Sequence, residues 1–349
     1  MNPRRLLLDP SPGWHIFVVR GLLRGCSLPY AAAARLRRWQ FDSGRRSITR
    51  AEVPVISVGN LTTGGTGKTP IVRYVCQRLR ERGHRVAILS RGYGAVAGYN
   101  DEAMELMQHL PDVPIVQHPD RIEGARIAVQ ELEAEVLVLD DGFQHRRLHR
   151  DLDLVVIDAT APFGGGWMLP GGLLREPISS LRRADLILLS RVDQVDGAER
   201  SQLTETIQKL NPDAAVLSTV HAIAGLDRFV SGNQNVMADP AELKGASVVL
   251  VSAIGNPHAF EQTVMHAGAT ILQRFDLPDH DEFSRETRQS LAGAIAAINP
   301  RPQWVLCTGK DLVKLRTDAV GGVPLAAVRI NVRIQGDDDP LQQALEKIL

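Results

Sequence analysis

The chain has 349 residues, 44% hydrophobic and 23% charged, which excludes a disordered or fibrous protein and suits about two domains of ordinary size. Lys plus Arg balance Asp plus Glu at 40 each, but residues 1–50 hold ten Arg, no Lys and two Asp, a local net of +8 that leaves −8 for the rest. Cys26, Cys76 and Cys307 form no C-x-x-C pair, so a disulfide framework and a structural zinc site are excluded and a reducing cytosol is the expected compartment.

The first expected segment is residues 1–50. Its most apolar stretch, Trp14 to Tyr30, is broken by Arg20 and Arg24 and carries no small-residue cleavage pattern, so neither a signal peptide nor a spanning helix is expected. Trp14 to Trp39 mixes Trp, Phe, Leu and Ala with spaced arginines. That mixture fits a helix lying in a membrane interface and fits equally an amphipathic helix packed on the body.

From residue 53 strands and helices alternate. Val53–Val58 reads as a strand, Ile71–Arg82 as a helix ended by Gly83, and Arg85–Ser90 as a second strand. Asp101-Glu102 opens a helix, Asp120–Glu133 reads as another, and Glu135–Asp141, Leu152–Asp158 and Asp185–Ser190 are apolar strands. Near-continuous apolar strands between helices predict an α/β fold, a P-loop NTPase-like parallel sheet with helices on both faces. The pattern loosens over 222–246, which predicts a P-loop domain over 51–222 and a second, smaller α/β domain over 223–349 that closes over the active-site cleft. Its expected elements are Ser247–Ser252, His258–His266, Thr270–Phe275, Ser284–Ile298, Trp304–Thr308, one or two strands in Val323–Ile334, and a short closing helix.

The strongest chemical signal is Thr62-Thr63-Gly64-Gly65-Thr66-Gly67-Lys68-Thr69 between a strand and a helix. Glycines let main-chain amides turn around phosphate oxygens, and the following helix adds its positive end. Lys68 is expected on the β- and γ-phosphates of ATP and the Thr69 hydroxyl on Mg²⁺. Thr62 stands where G-x-x-x-x-G-K-[ST] has its first Gly, so the loop has the deviant form. Asp140-Asp141 ends an apolar strand and reads as a Walker B pair, with His145 near the same edge. Arg175-Glu176, after a glycine-rich loop, could clamp phosphate and assist the metal, and Lys310-Asp311 weakly resembles a nucleotide-base reader.

These pieces in this order resemble the tetraacyldisaccharide 4′-kinase family. The resemblance runs from Val53 to about Lys314 and is carried by Pro54–Leu61 leading into Gly64–Pro70, then Ser90-Arg91-Gly92-Tyr93-Gly94, Asp101-Glu102, Asp140–His145, Leu169–Pro177, Gly255-Asn256-Pro257, Pro278-Asp279-His280 and Thr308–Asp311. Gly309 stands where the family usually has an acidic residue. The resemblance implies ATP γ-phosphate transfer to the 4′-hydroxyl of an amphiphilic glycolipid, a tetraacyldisaccharide 1-phosphate, in lipid A biosynthesis. It implies a peripheral enzyme on the cytoplasmic face of the inner membrane. By motif position Asp101 is the base, supported by His280. Asp141 and Glu176 join Thr69 at the metal, and Arg121, His145 and Arg175 line the phosphate and acceptor region. A competing reading is a switch ATPase of the partitioning or metallochaperone type, which usually carries a second lysine where this chain has Thr63. A nucleic-acid partner is not expected, because the basic end holds no binding motif and the body is net acidic. No obligate protein partner is evident either.

Overall fold

The computed structural model describes residues 7–8, 13–92, 101–229, 236–279 and 281–349, with the side chains of Asp101, Val236 and Met237 outside that description. The chain divides into two compact units, 1–220 with 333–349, and 221–332. The C-terminal 17 residues therefore belong to the first unit, not to the second as the sequence pattern suggested.

In the first unit α1 (Trp14–Asp42) precedes β1 (Val55–Gly59), α2 (Lys68–Glu81), β2 (Val86–Ser90) and α3 (Asp101–His109). Then follow β3 (Ile115–Gln117), α4 (Arg121–Gln130), β4 (Val136–Asp140), β5 (Leu152–Asp158), β6 (Leu186–Ser190) and α5 (Gly197–Leu210). β7 (Ala215–Arg228) starts in this unit and continues into the second. Its strands run in the order β7-β6-β5-β1-β4-β2-β3, and every pair along that path is parallel. β1, β2, β4, β5 and β6 are buried at every position, as a sheet covered on both faces requires. α2 buries Ile71, Val72, Val75, Cys76 and Leu79, a helical-period stripe. α4 starts where Asp120 accepts a hydrogen bond from the Ile122 amide, an N-cap, and packs Ala125 and Ala128 with Leu137 and Leu139. α5 packs Leu203 and Ile207 with Ile187 and Leu189.

The second unit holds β8 (Val236–Ala238), β9 (Ser247–Ser252), α6 (Pro257–His266), β10 (Thr270–Asp276), α7 (Arg285–Ala296), β11 (Trp304–Thr308), α8 (Gly309–Leu315) and β12 (Ala319–Val320). β13 (Val323–Gln335) leads back to the first unit, where α9 (Asp339–Ile348) ends the chain. Here the parallel order is β10-β9-β11-β13, with β12 antiparallel to β13. Its core joins Val249, Val251, Val305, Leu325 and Ala327 to Phe283 and Leu291.

The region read as loosening after residue 222 is in part strand, since β7 runs to Arg228. Its side chains are mostly half-buried, so it lacks the apolar run that marks the inner strands.

Candidate active site

The carboxyl end of β1 is the centre of the first unit's sheet, with β5 on one side and β4 on the other. The chain leaves it through Asn60 and enters the glycine loop. Gly64 and Gly67 sit at φ 99° and 87°, left-handed values open to glycine, and Gly67 leads directly into Lys68 as the first residue of α2. Pro70 falls in the first helical turn, where its missing N–H costs nothing. The fully buried Asn60 donates to Thr66 Oγ1 at 2.9 Å and fixes the loop's interior. Thr62 and Thr63, expected to cradle phosphate, are bonded to a neighbouring segment. Thr62 pairs with Leu174, and the Thr63 amide is already donated to Leu173 O at 2.8 Å. They tie the loop to the segment that carries Arg175.

β4 ends at Asp140, one residue earlier than the apolar run suggests, and Asp141 turns away at φ 55°. That turn aims the Asp141 carboxylate at the loop: Lys68 Nζ lies 3.5 Å from Oδ1. Arg175 grips the same carboxylate with both ends of its fork, at 2.6 and 2.8 Å, and also reaches Asn60 Oδ1. Burial alone would raise the Asp141 carboxyl, but Lys68 and Arg175 outweigh it and hold the carboxyl well below the usual carboxylate range. Arg121, the first residue of α4, is buried and donates to Asp140 O at 2.9 Å. Burial lowers its pKa, although Asp141 and Asp140 oppose the shift. The result is a lysine, a carboxylate and two arginines gathered at the end of a phosphate loop, which is the equipment for gripping a triphosphate.

Comparison with known proteins agrees. The family model for LpxK, tetraacyldisaccharide-1-P 4′-kinase, matches residues 19–349. The chain belongs to that family. A tetraacyldisaccharide 4′-kinase of Anaeromyxobacter sp. (strain Fw109-5) is 39% identical, over 92% of this chain and 89% of its own length. That of Geobacter metallireducens is 34% identical, over 95% and 99%. Among solved structures, LpxK from Aquifex aeolicus in complex with ATP matches with a TM-score of 0.70 at 28% identity, covering 95% of this chain and 99% of that one. This member of the 4′-kinase family is an ATP-dependent phosphotransferase, and the switch-ATPase reading falls away.

Beside the Asp141 cluster the kinase has a cavity of about 790 Å³. Arg121, His145, Arg175 and Glu176, all singled out from the sequence, line it. So does Glu102, the neighbour of Asp101 in the first turn of α3. His280 lies outside the described residues, as does the Asp101 side chain. Burial first, and then Arg121 and Arg147, push His145 down to about 4, so its ring is neutral near pH 7. Glu176, expected at the metal, is instead paired with Arg183 at 2.9 Å. Arg183 also stacks on Phe143, with its guanidinium 4.3 Å from the ring centroid. Nothing in the sequence marked Arg183, because an arginine in a short 3₁₀ turn has no signature.

Helix α1 forms one wall of this cavity through Tyr30, Arg37, Arg38 and Phe41. It is fastened where the site is built. Tyr30 donates to Arg175 O at 3.3 Å, Arg38 to Ser179 Oγ at 2.8 Å, and Arg146 to Arg38 O at 3.3 Å. Buried Ser27 accepts from the Gly171 amide and donates to Met168 O, both at 2.8 Å. The glycine-rich loop before Arg175 is therefore a docking platform, and a Cβ at Gly171 would come within 2.5 Å of Ser27 Oγ and 2.7 Å of Arg24 Cα. The opposite side of α1 is apolar and open, with Trp14 81%, Phe17 67%, Leu22 68% and Leu28 65% exposed. No helix among the described residues is long and apolar enough to cross a membrane.

In the second unit Asp311, which the sequence pattern offered as part of a nucleotide-base reader, is engaged within the fold. Its carboxylate accepts from Thr308 Oγ1 at 2.7 Å and from the Ala253 amide at 3.2 Å, capping α8 and tying the ends of β9 and β11 together. Burial pushes its pKa up to about 6, against the hydrogen bonds from Thr308 and Ala253.

Proposed function

We propose that the Lys68–Asp141–Arg175 cluster receives the transferring end of ATP and that the adjoining cavity seats the sugar-phosphate head of the acceptor. The reaction is γ-phosphate transfer to the 4′-hydroxyl of a tetraacyldisaccharide 1-phosphate. The observation that carries the reading is the continuity of the two sites: Arg175 bonds Asp141 beside Lys68 and also lines the arginine-rich cavity. One end suits a triphosphate, and the other suits an anionic head group.

Phosphoryl transfer needs little covalent help from a protein; positioning and charge neutralisation supply most of the rate. Lys68 and the main-chain amides of the glycine loop neutralise the triphosphate. The Thr69 hydroxyl and the ionised Asp141 carboxylate are hard oxygen donors that fit Mg²⁺, and they are the residues that would hold it. Bound there, Mg²⁺ would supply charge neutralisation at the β- and γ-phosphates. Glu176 is left out of this set because Arg183 holds it. Asp101 takes the proton of the 4′-hydroxyl as its oxygen bonds the γ-phosphorus and the bond to the ADP oxygen breaks, and His280 supports that base.

The acceptor's acyl chains belong in a bilayer, so the enzyme works at the cytoplasmic face of the inner membrane as a peripheral protein. Supporting this, α1 carries its open apolar side and a net positive charge on the same segment that walls the cavity.

The deciding experiment is Asp101→Ala. Turnover of the lipid acceptor should fall by about 10²–10⁴ while the KM for ATP stays within about twofold. Turnover close to that of the unaltered enzyme would remove Asp101 from the chemistry.

A further inference from the structure

Two donors at the end of β6 lie directly behind the glycine loop. Ser190, fully buried, donates its hydroxyl to Thr66 O at 2.8 Å. The next residue, Arg191, is 8% exposed and donates to Gly65 O at 3.0 Å. The other arm of the same guanidinium is held by Asp158 Oδ2 at 2.7 Å, at the end of β5. Asp158 is itself fixed, since its other oxygen accepts from Thr160 N at 3.1 Å and Thr160 Oγ1 at 2.6 Å. Arg191 adopts φ 58°, a left-handed conformation that residues with side chains rarely take and that marks a locally imposed geometry.

We propose that Ser190 and Arg191, anchored by Asp158, are positioning residues for the nucleotide: they hold two successive carbonyls of the phosphate loop so that its amides keep their phosphate-binding orientation. In a trans peptide the N–H and C=O point in opposite directions. A carbonyl held toward β6 therefore turns the amide of the same peptide away from β6: the Thr66 amide, opposite Gly65 O, donates to Gly64 O at 3.0 Å and closes the tight turn of the loop, and the Gly67 amide, opposite Thr66 O, is the one turned toward phosphate. Without such a hold, a glycine loop has many conformations open to it, and ordering it would weaken nucleotide binding. A forked side chain suits the task, because one guanidinium bonds Asp158 and Gly65 O at once; a lysine has one nitrogen on a flexible stem and cannot span both in the same geometry. The two bonds act on neighbouring carbonyls from adjacent residues of one strand end, which makes the pair a unit rather than two incidental contacts.

The proposal rests on the phosphate-loop reading above. If that reading fails, the unaltered protein will not bind ADP. If only the proposal fails, ADP will bind the unaltered and altered proteins alike. The test uses the full chain with three variants: Ser190→Ala, Arg191→Lys, and Asp158→Asn with Arg191→Met, which avoids stranding a buried carboxylate. ADP affinity is measured by calorimetry, adenosine as a competitive inhibitor, and the KM of the lipid acceptor by assay. The expected result is ADP binding weaker by about fivefold in Ser190→Ala and about tenfold or more in the other two, with adenosine inhibition and acceptor KM within about twofold. Unchanged ADP affinity, Arg191→Lys binding like the unaltered enzyme, or equal losses for ADP, adenosine and acceptor would each overturn it.

Discussion

Replacing Gly142 by Ala tests whether the Asp141 turn is as tightly set as the geometry requires. A methyl there would stand 2.6 Å from Ser57 Oγ and 2.8 Å from Leu139 Cβ. Leu139 Cβ belongs to a fully buried strand residue and is fixed by its backbone. Ordinary contact begins near 3.4 Å, so the turn itself must retreat by roughly 0.6 Å. It carries Asp141, whose oxygens are placed against Lys68 at 3.5 Å and Arg175 at 2.6 Å. A displacement of about 1 Å near the reacting groups costs on the order of 10²-fold in rate. The accompanying overpacking costs about 1–3 kcal/mol, which lowers Tm by several degrees in a protein of this size. The assay is kcat with saturating ATP and acceptor, beside thermal unfolding of the same preparation. A folded Gly142→Ala enzyme with full kcat would refute the claim that this turn sets the Asp141 position.

Three further outcomes follow from the geometry. His145 titrates near 4 in the folded chain and near its ordinary 6.5 when unfolded, so on acidification through that window the unfolded state takes up the proton and stability falls. His145→Gln should therefore lose less Tm between pH 7.5 and pH 5 than the unaltered enzyme, and an identical loss would contradict the lowered pKa. Changing Trp14, Phe17, Leu22 and Leu28 together to Gln should abolish sedimentation with anionic vesicles while leaving Tm within about 2 °C, since all four are exposed; retained binding would assign membrane contact elsewhere. Gly171→Ala, which drives a methyl into Ser27 and Arg24, should loosen α1 and show as faster proteolysis between residues 14 and 42 together with a raised acceptor KM; unchanged cleavage and KM would mean the loop yields instead.

The sequence spoke clearly where periodicity was strong. Leu152–Asp158, Ser247–Ser252 and Trp304–Thr308 have the expected bounds because continuous apolar runs flanked by breakers admit one reading. β3 has three residues, and α5 buries only Leu203 and Ile207, so neither rose above its surroundings. At the site, Lys68, Asp141, Arg121, His145 and Arg175 converge as the motifs suggested. Ser190 and Arg191 were silent, since a buried polar residue after a strand is identified by the partner it finds in the fold, and that partner lies up to 126 residues away in sequence. Thr63 and Glu176 have partners in the fold that the motifs did not announce: the Thr63 amide donates to Leu173 O, and Arg183 pairs with Glu176.

The second unit enters through β7 and leaves through β13, so it is an insertion and not an appendage. The chain's last helix, α9, comes home to brace α2: Leu341 and Leu345 are fully buried, and Tyr74 bonds Asp338 at 3.4 Å. A fragment stopped at residue 222 would thus leave α2, the helix that begins with Lys68, without the polar partners of Tyr74 and Arg82. The nucleotide half can be isolated only by excising the middle of the chain and rejoining its flanks, and a protease must cut twice to part the two units.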